Sequence, residues 1–460
     1  MVLSLATAVV LARLLTPEDF GVFSLGMVFL TLFLSTQDFG IFTAVVQRDT
    51  RIDECISVGL TLRWITAVLL FFGAVTFSPL VAIYVGNHSI SAVVIVLALN
   101  LFILIYAFPS QVLLTRSLGF YRLSVASVVQ YTVISVMSIA LAFLGFTYWG
   151  LVYGSVSGSV AFVIVLRYFE SREYKPRLDG RLMSELLGFG KHILISSLMG
   201  FVIFNLDQIA IAGVVGVASV GIYYLAVKLG RTVGEQIAAT VNKVLFPTMS
   251  RLKDNPELLR TSYVQSLRMI AIIAVPLSVG TSALAPVLVP ALLGEEWSAV
   301  IIPLAILSFQ GLLNALIPPA ANVLISIGRP RYISIQATIQ ALALVVGVYP
   351  AALYFGINGV CVLTTFLSFG VLIYFLLVYS SIQKQSFRSV VRPILPPAVS
   401  GSVVFLVLSS LIHALPSGLF SFLALVAIGG LLYVVLLHFV SGGHDVRDFL
   451  SLMKGAVRGP

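Results

Sequence analysis

The stretch VVLARLLTPEDFGVFSLG at Val9–Gly26 is matched two hundred positions later by IAIAGVVGVASVGIYYLA at Ile209–Ala226. The apolar pattern of the two stretches superimposes without a gap, and Gly21 aligns with Gly221. The match continues along both segments with a slowly changing offset, which indicates a duplicated unit of about 190 residues. In membrane transporters the substrate binds where two such repeats meet, so this pattern decides the predicted fold.

The composition is that of an integral membrane protein. The chain of 460 residues is 59% hydrophobic and only 10% charged, and its mean hydropathy is +1.08. Soluble domains carry about 25% charged residues. Apolar runs of about 20 residues, the length that crosses a bilayer as a helix, recur along the chain. The period-two alternation of transmembrane β-strands is absent from these runs. The composition therefore predicts helical spans and excludes a soluble fold.

The apolar runs predict an all-α polytopic membrane protein with about fourteen transmembrane helices. Spans one to six and spans seven to twelve are expected to form two six-helix lobes. Because six spans return the chain to its starting side, a pseudo-twofold axis along the membrane normal should relate the lobes. The predicted regions are an N-terminal lobe at 1–170, a cytoplasmic linker with an amphipathic helix at 171–190, a C-terminal lobe at 191–381, two additional C-terminal helices at 382–441 and a cytoplasmic tail at 442–460.

The first predicted span is short. About a dozen apolar residues precede Arg13, whereas the corresponding span of the second repeat extends from about Lys191 to Val215. We therefore expect the natural first helix to begin about ten residues upstream of Met1.

Basic residues are confined to alternate loops. Of the 27 Lys and Arg residues, three (Arg13, Lys228 and Arg231) lie within predicted spans, and the other 24 lie in or beside loops on one side. By the positive-inside rule that side is cytoplasmic, which predicts a multi-pass protein of the cytoplasmic membrane with both termini inside. The net charge of +9 then reports topology and contact with anionic membrane lipids. It does not indicate nucleic-acid binding, because no basic domain lies outside the spans.

The eighth predicted span carries charges where they are costly. Lys228, Arg231 and Glu235 are spaced by three and four positions, so they share one face of an α-helix. Arg231 falls near the middle of the apolar layer, which is about 30 Å thick. Charged side chains at this depth are expected to face a cavity or a partner. Two cations and one anion suit a negatively charged ligand, whereas an internal Arg231–Glu235 pair that joins two helices is the alternative.

Two buried acids and one further cation are candidates for the same cavity. Arg13 ends span one, where its side chain either reaches the interface or adds positive charge to the cavity. Asp38 in span two and Asp207 in span seven have no base nearby in the sequence. Their expected partners are the cations of span eight. Alternatively, they bind a coupling H⁺ or Na⁺, or they form structural ion pairs.

Polar and aromatic residues next to these charges are weaker candidates. Gln208 follows Asp207 directly, and Tyr223 lies one span further along the chain. Both are expected to line a cavity of the size of a sugar.

No catalytic constellation is visible in the sequence. It contains no Walker A loop, no pair of carboxylates on one helix and no nucleophile elbow, so an enzyme is not expected. Cys55 and Cys361 lie on different predicted elements and suggest neither a disulfide nor a metal site. The sequence therefore predicts no cofactor beyond the coupling ion.

Three segments resemble polysaccharide-exporting flippases of the multidrug/oligosaccharidyl-lipid/polysaccharide exporter superfamily. They are ARLLTPEDFGVFSLGMVF from Ala12, STQDFGIFTAVVQRD from Ser35, and NLDQIAIAGVVGVASVGIYYLAVKL from Asn205. The third resembles the seventh and eighth spans of these flippases, and the likeness extends over the whole chain. The L-x-P-E-D-F-G string after span one is fairly specific for the polysaccharide branch.

The resemblance implies two lobes that alternate between inward-open and outward-open states. The implied substrate is a polyprenyl-(pyro)phosphate-linked oligosaccharide, moved from the cytoplasmic to the outer leaflet for lipopolysaccharide or exopolysaccharide synthesis. Cavity cations would hold its phosphate, a role that Lys228, Arg231 and Arg13 match by position. A polysaccharide polymerase and assembly proteins are the implied protein partners.

Two other functions agree less well with the sequence. A drug or cation antiporter of the same superfamily favours an anionic cavity in the first half, where the spans offer only Asp38. A membrane polysaccharide polymerase or ligase needs a large external loop that carries catalytic residues, and the predicted external loops are short.

Overall fold

The computed structural model describes residues 2–232, 234–236, 239, 249, 255–412 and 418–441. Nearly all of these residues are helical and none is in a strand, which confirms the predicted all-α class. The α-helices are α1 Val2–Ala12, α2 Pro17–Asp38, α3 Ile41–Gln47, α4 Ile52–Val85, α5 Ser89–Ala98, α6 Asn100–Ile105, α7 Phe108–Arg116, α8 Phe120–Phe143, α9 Thr147–Phe169, α10 Gly180–Val214, α11 Val217–Ala226, α12 Pro256–Leu292, α13 Ile301–Leu316, α14 Pro318–Ser326, α15 Arg331–Ile382, α16 Phe387–Val391, α17 Leu395–Leu411 and α18 Leu419–Val440. A π-helical turn, Val227–Arg231, follows α11, and 3₁₀ turns at Glu295–Val300 and Arg392–Ile394 precede α13 and α17.

The protein is a multi-pass membrane protein. Among the described residues, ten helical segments are long and apolar enough to cross a bilayer, and α5–α7, bent by 51°, form an eleventh if taken as one span. α15 contains two helices in one 52-residue run, because the chain breaks at Gly356, where φ is 60° and ψ is −147°. α1 is a shorter apolar helix. The total of fourteen spans stays a prediction.

The chain divides into two compact units, Met1–Tyr224 and Leu225–Pro460. The division falls within α11, so α10 and most of α11 belong to the first unit. The predicted lobes, which follow the sequence repeat and divide at residue 191, stay a prediction.

The start of α2 is fixed by a complete N-terminal cap. Thr16 Oγ1 accepts the N–H of Asp19 at 3.3 Å, and Asp19 Oδ2 accepts the N–H of Thr16 at 2.9 Å. This reciprocal pair is a capping box, and it satisfies backbone donors that the helix itself leaves unpaired. Pro17 occupies the first helical position, where its missing N–H removes no hydrogen bond. The T-P-E-D string is therefore a helix-start motif.

The same string joins two connections of the first unit. Asp19 Oδ1 accepts the N–H of Tyr148 at 3.2 Å, and Glu18 Oε1 accepts a hydrogen bond from Asn87 Nδ2 at 2.9 Å. Asn87 lies between α4 and α5, and Tyr148 is the second residue of α9, next to the loop that precedes it. These two loops contain no Lys or Arg, and the sequence assigns them to the non-cytoplasmic side. The structure places both loops at the α2 N-terminus, hence on one face of the unit.

The basic loops of the first unit also meet one another. Arg48 Nη2 lies 2.5 Å from Glu185 Oε2, and Arg177 Nη1 lies 3.3 Å from Glu54 Oε2. Arg116 donates to the carbonyl oxygen of Arg48. These contacts bring the segments at 47–63, 116–122 and 167–191 together, in agreement with their predicted position on a single side.

The amphipathic segment of the predicted linker is the first part of α10. Asp179 accepts the N–H of Leu182 at 3.1 Å, and the helix then extends over Gly180–Val214 without interruption. Leu182 and Leu186 are buried, as the amphipathic pattern predicts. The helix of the linker is continuous with span seven, because no residue after the Asp179 cap ends it.

The second unit has an apolar core that joins α12 to α15, α17 and α18. Tyr263 of α12 and Tyr379 of α15 are buried and stack with ring centroids 3.8 Å apart. Tyr433 of α18 donates its hydroxyl to the carbonyl oxygen of Ile272 at 3.2 Å. The two C-terminal helices are therefore packed into this unit.

Candidate functional site

Lys228 and Arg231, the two cations predicted to lie within span eight, are on a π-helical turn. The regular α-helix expected at Lys228 and Arg231 gives way to π-helix over Val227–Arg231. The N–H of Thr232 bonds to the carbonyl oxygen of Val227, five residues earlier, and Thr232 Oγ1 reaches the same oxygen at 3.1 Å. A π-turn contains one more residue per hydrogen bond than an α-turn, and such turns are frequent at functional sites. The sequence spacing alone did not reveal this wider turn.

Glycines hold the turn against α13. A β-carbon on Gly234 would overlap the backbone of Gly311, and one on Gly311 would lie 3.0 Å from Arg231 Cα. A β-carbon on Gly230 would lie 3.0 Å from the backbone nitrogen of Ser308. Small residues allow membrane helices to approach this closely. The backbone that carries Arg231 is thereby fixed on α13.

Arg231 and Glu235 form the pair that their spacing allows. Arg231 Nε lies 3.4 Å from Glu235 Oε1, and the two side chains are 11% and 33% exposed. Glu235 Oε1 also accepts a hydrogen bond from Asn314 Nδ2 at 3.0 Å. Asn314 is a site residue that sequence reasoning missed, because it lies on α13, 79 positions after Glu235. No local pattern connects the two.

Lys228 is the second cation of the turn. Its side chain is partly buried, and it makes no ion pair with any residue of the described ranges. Residues 227–235 thus contain two cations and one carboxylate. A partly buried ammonium that has no counter-ion among the described residues is costly in an apolar layer, so this turn is suited to an anionic ligand.

Asp38 has a different partner from the expected one. The sequence predicts a pair with Lys228 or Arg231, but Asp38 Oδ1 accepts a hydrogen bond from Arg63 Nη2 of α4. The Arg63 guanidinium carbon also lies 4.4 Å from the ring centroid of Phe108, in cation–π geometry. The partner was missed because the charge pattern placed Arg63 at the edge of a basic loop, whereas α4 begins at Ile52 and contains it.

Asp207 and Gln208 are bonded within the first unit. Asp207 is 1% exposed, and its Oδ2 accepts a hydrogen bond from the Tyr223 hydroxyl at 2.5 Å. Gln208 Oε1 accepts a hydrogen bond from Ser24 of α2 at 2.5 Å. Tyr223 is fully buried, which contradicts its expected place on a cavity wall. The aromatic ring packs inside the helix bundle because its hydroxyl has a buried acceptor.

Arg13 lies directly after α1 and is exposed. Its backbone N–H bonds to the carbonyl oxygen of Val10 at 3.2 Å, which closes the last turn of the helix. The residue lies in the first unit with Asp38, Asp207 and Gln208, whereas Lys228 and Arg231 lie in the second.

Residues 10–302 match the family model described as "Polysaccharide biosynthesis protein". The chain is 24% identical over 344 residues to the lipopolysaccharide biosynthesis protein WzxC of Escherichia coli (strain K12), covering 71% of this chain and 67% of that protein. It is 26% identical over 305 residues to the teichuronic acid biosynthesis protein TuaB of Bacillus subtilis (strain 168), covering 64% and 61%. The succinoglycan biosynthesis transport protein ExoT of Rhizobium meliloti (strain 1021) is 23% identical over 298 residues, covering 64% and 60%. The chain thus spans about two thirds of the length of these relatives or less.

Solved structures share the fold. The lipid II flippase MurJ, in an inward closed conformation, superimposes with a TM-score of 0.78 at 14% identity, covering 98% of this chain and 97% of that chain. An inward-facing multidrug resistance MATE family transporter of the MOP superfamily gives a TM-score of 0.65 at 16% identity, covering 84% and 95%. At these identities the likeness shows a common fold.

Proposed function

Because the chain belongs to the polysaccharide biosynthesis protein family, we propose that it is a flippase that moves a lipid-linked oligosaccharide across the cytoplasmic membrane by alternating access. The names of its relatives agree with this, since one is a transport protein for succinoglycan biosynthesis and others serve lipopolysaccharide and teichuronic acid biosynthesis. A fold shared with a lipid II flippase is compatible with a lipid-linked substrate. The substrate head group is a polyprenyl-linked phosphate or diphosphate.

The π-helical turn is the observation on which the assignment of the head-group site depends. Arg231 presents a guanidinium, which binds phosphate through parallel hydrogen bonds, and Lys228 adds a point charge one turn away. Glu235 offsets part of the Arg231 charge and keeps the turn from holding phosphate too tightly for release. We propose Arg13 as a further, outer-side cation for the same head group.

The acidic residues have different proposed roles. The pairing of Asp38 with Arg63 favours a structural role for that carboxylate. Asp207, buried and bonded to Tyr223, is the group that we propose for a coupling H⁺ or Na⁺. Gln208 supports this region through its bond to Ser24. A polysaccharide polymerase and assembly proteins are proposed partners, and both termini are proposed to be cytoplasmic.

Replacing Arg231 by Ala in a host that depends on this chain for surface polysaccharide tests the proposal. We expect surface polysaccharide to disappear and lipid-linked oligosaccharide to accumulate on the cytoplasmic side, while the protein level is unchanged. Arg231→Lys keeps the positive charge but loses the planar guanidinium that donates two parallel hydrogen bonds, so this variant should retain part of the activity. Arg329→Ala, at an exposed position of the same unit, is the matched control and should have no effect. Normal display in Arg231→Ala would contradict the assignment.

A further inference from the structure

A second group of cations lies in a pocket of about 1450 Å³ within the second unit. The pocket walls come from the start of α12, the segment that leads into α17, and the end of α18. Arg260, Arg268, Arg388 and Arg392 line it, and Glu257 is the one acid among the described residues that line it. Four guanidinium groups against one carboxylate give this arginine pocket a strong positive potential.

Three of these cations are available to a ligand. Arg260, Arg388 and Arg392 are exposed, and within the described part of the chain they make no ion pair. Guanidinium groups gathered around one opening repel one another unless an anion occupies it. Because arginine matches the geometry of phosphate oxygens, a phosphate is the anion that this lining fits best.

The sequence repeat does not account for the pocket. TLRWITAV, from Thr61, aligns with SLRMIAII, from Ser266, so Arg63 corresponds to Arg268. In the first unit Arg63 pairs with Asp38 beneath Phe108. In the second unit the corresponding arginine lines an open pocket with three more arginines. The aligned arginines Arg63 and Arg268 therefore have different surroundings in the two units.

The pocket is also continuous with an apolar surface. Leu395 and Val440 line it and are 49% and 46% exposed. Further exposed apolar side chains follow Leu395 along one face of α17 at helical spacing: Val399, Val403 and Leu406. On a membrane-spanning helix such side chains contact acyl chains. A ligand held by the arginines would have this lipid-facing surface beside it.

We propose that the arginine pocket binds the phosphate head group of a membrane lipid, with the acyl chains against the exposed face of α17. A free phosphate ion would use the arginines but not the apolar surface. By the positive-inside rule, the three segments around the pocket face the cytoplasm, so the lipid belongs to the inner leaflet. The pocket contains none of the residues of the π-helical turn, and the proposal does not depend on the transported substrate.

Native mass spectrometry of the full-length protein, purified in detergent, tests the proposal. The probes are phosphatidylglycerol, undecaprenyl diphosphate and inorganic phosphate. We expect Arg388→Gln/Arg392→Gln to lower retention of the lipid phosphate about tenfold or more, since each lost contact is a hydrogen bond between charged groups. Arg329→Gln/Arg331→Gln removes the same charge from exposed positions of the same unit outside the pocket, and should change retention less than twofold.

A gain in binding provides a second test that does not depend on a weakened variant. Glu257→Gln removes the acid of the pocket and should raise lipid retention severalfold. Stronger competition by undecaprenyl diphosphate than by phosphatidylglycerol would assign the pocket to the carrier lipid, and the reverse to bulk phospholipid. The proposal is overturned if the two double arginine variants lower lipid retention equally, or if neither variant lowers it. It is also overturned if inorganic phosphate displaces the lipids at comparable concentration.

Discussion

Gly21 of α2 and Gly221 of α11 lie against each other's helices in a reciprocal contact. A β-carbon on Gly21 would overlap the carbonyl oxygen of Val217, and one on Gly221 would overlap that of Pro17. The two contacts are Gly21 with Val217 and Gly221 with Pro17. Gly221 is two hundred positions after Gly21, and Val217 is two hundred positions after Pro17, as expected of an isologous contact around a twofold axis. Positions that are equivalent in the sequence repeat thus make equivalent contacts here, where the backbones of α2 and α11 meet.

Adding a methyl group at either glycine should therefore destabilise the first unit. We expect Gly21→Ala and Gly221→Ala each to lower the free energy of unfolding by about 1–3 kcal/mol or more, because the added methyl group would overlap backbone atoms, which cannot rotate away. Thermal unfolding in detergent measures the effect. Gly73→Ala is the control, since no atom lies within 4 Å of its added β-carbon. That change should leave stability the same or raise it by up to about 1 kcal/mol. Equal melting temperatures for all three variants would contradict the close contact.

The partly buried pair of Asp38 and Arg63 predicts a coupled mutational effect. Arg63→Met removes the partner of the Asp38 carboxylate and should lower the free energy of unfolding by about 3 kcal/mol. This is the low end of the range for buried pairs, because Asp38 is 33% exposed. Removing both charges, in Asp38→Leu/Arg63→Met, should recover much of that loss. The melting temperatures of the two variants in detergent provide the comparison. A double variant as unstable as the single one would mean that packing on Phe108, rather than the ion pair, is decisive.

Asn314 is expected to act through Glu235 as a positioning residue. Asn314→Leu removes the hydrogen bond to Glu235 Oε1, so that the carboxylate is free to pair more fully with Arg231. Transport of lipid-linked oligosaccharide should then fall about tenfold, the effect of one hydrogen bond to a charged group. Asn314→Gln retains the donor and should restore part of the activity at the same protein level. A stable Asn314→Leu protein with full transport would remove this role.

The contact between Arg48 and Glu185 predicts a loss of stability in acid. The hydrogen bond from Arg48 holds the pKa of Glu185 below its usual value. A carboxyl group with a lowered pKa stabilises the folded state above its unfolded pKa, about 4.3, and loses that contribution as pH falls through the folded pKa. The melting temperature of the wild type should therefore fall more between pH 7 and pH 4 than that of Glu185→Gln. If the melting temperature of Glu185→Gln has the same pH dependence as that of the wild type, other carboxylates determine the loss of stability in acid.

Much of the architecture could be predicted because it depends on patterns that are local or periodic. Hydropathy identified a helical membrane protein, since each span must be apolar over the thickness of the bilayer. The separation of basic from uncharged loops agreed with the contacts among Arg48, Arg116 and Glu185 on one face of the first unit. The spacing of Arg231 and Glu235 allowed the ion pair that they form, which was the alternative to a face open to a ligand. The resemblance to polysaccharide exporters agreed with the family match.

The remaining features depend on which helices pack together, and the sequence by itself contains no sign of that. Arg63 and Asp38 are 25 positions apart on different helices, and Asn314 is 79 positions from Glu235. The π-helical turn forms where glycines bring the backbone against α13, a contact that no spacing reveals. The sequence determined that the chain spans the membrane as helices, because each span must be apolar over the thickness of the bilayer. Tertiary packing decided the partners of the buried charges, because a charge in an apolar layer pairs with whichever group the neighbouring helix brings within reach.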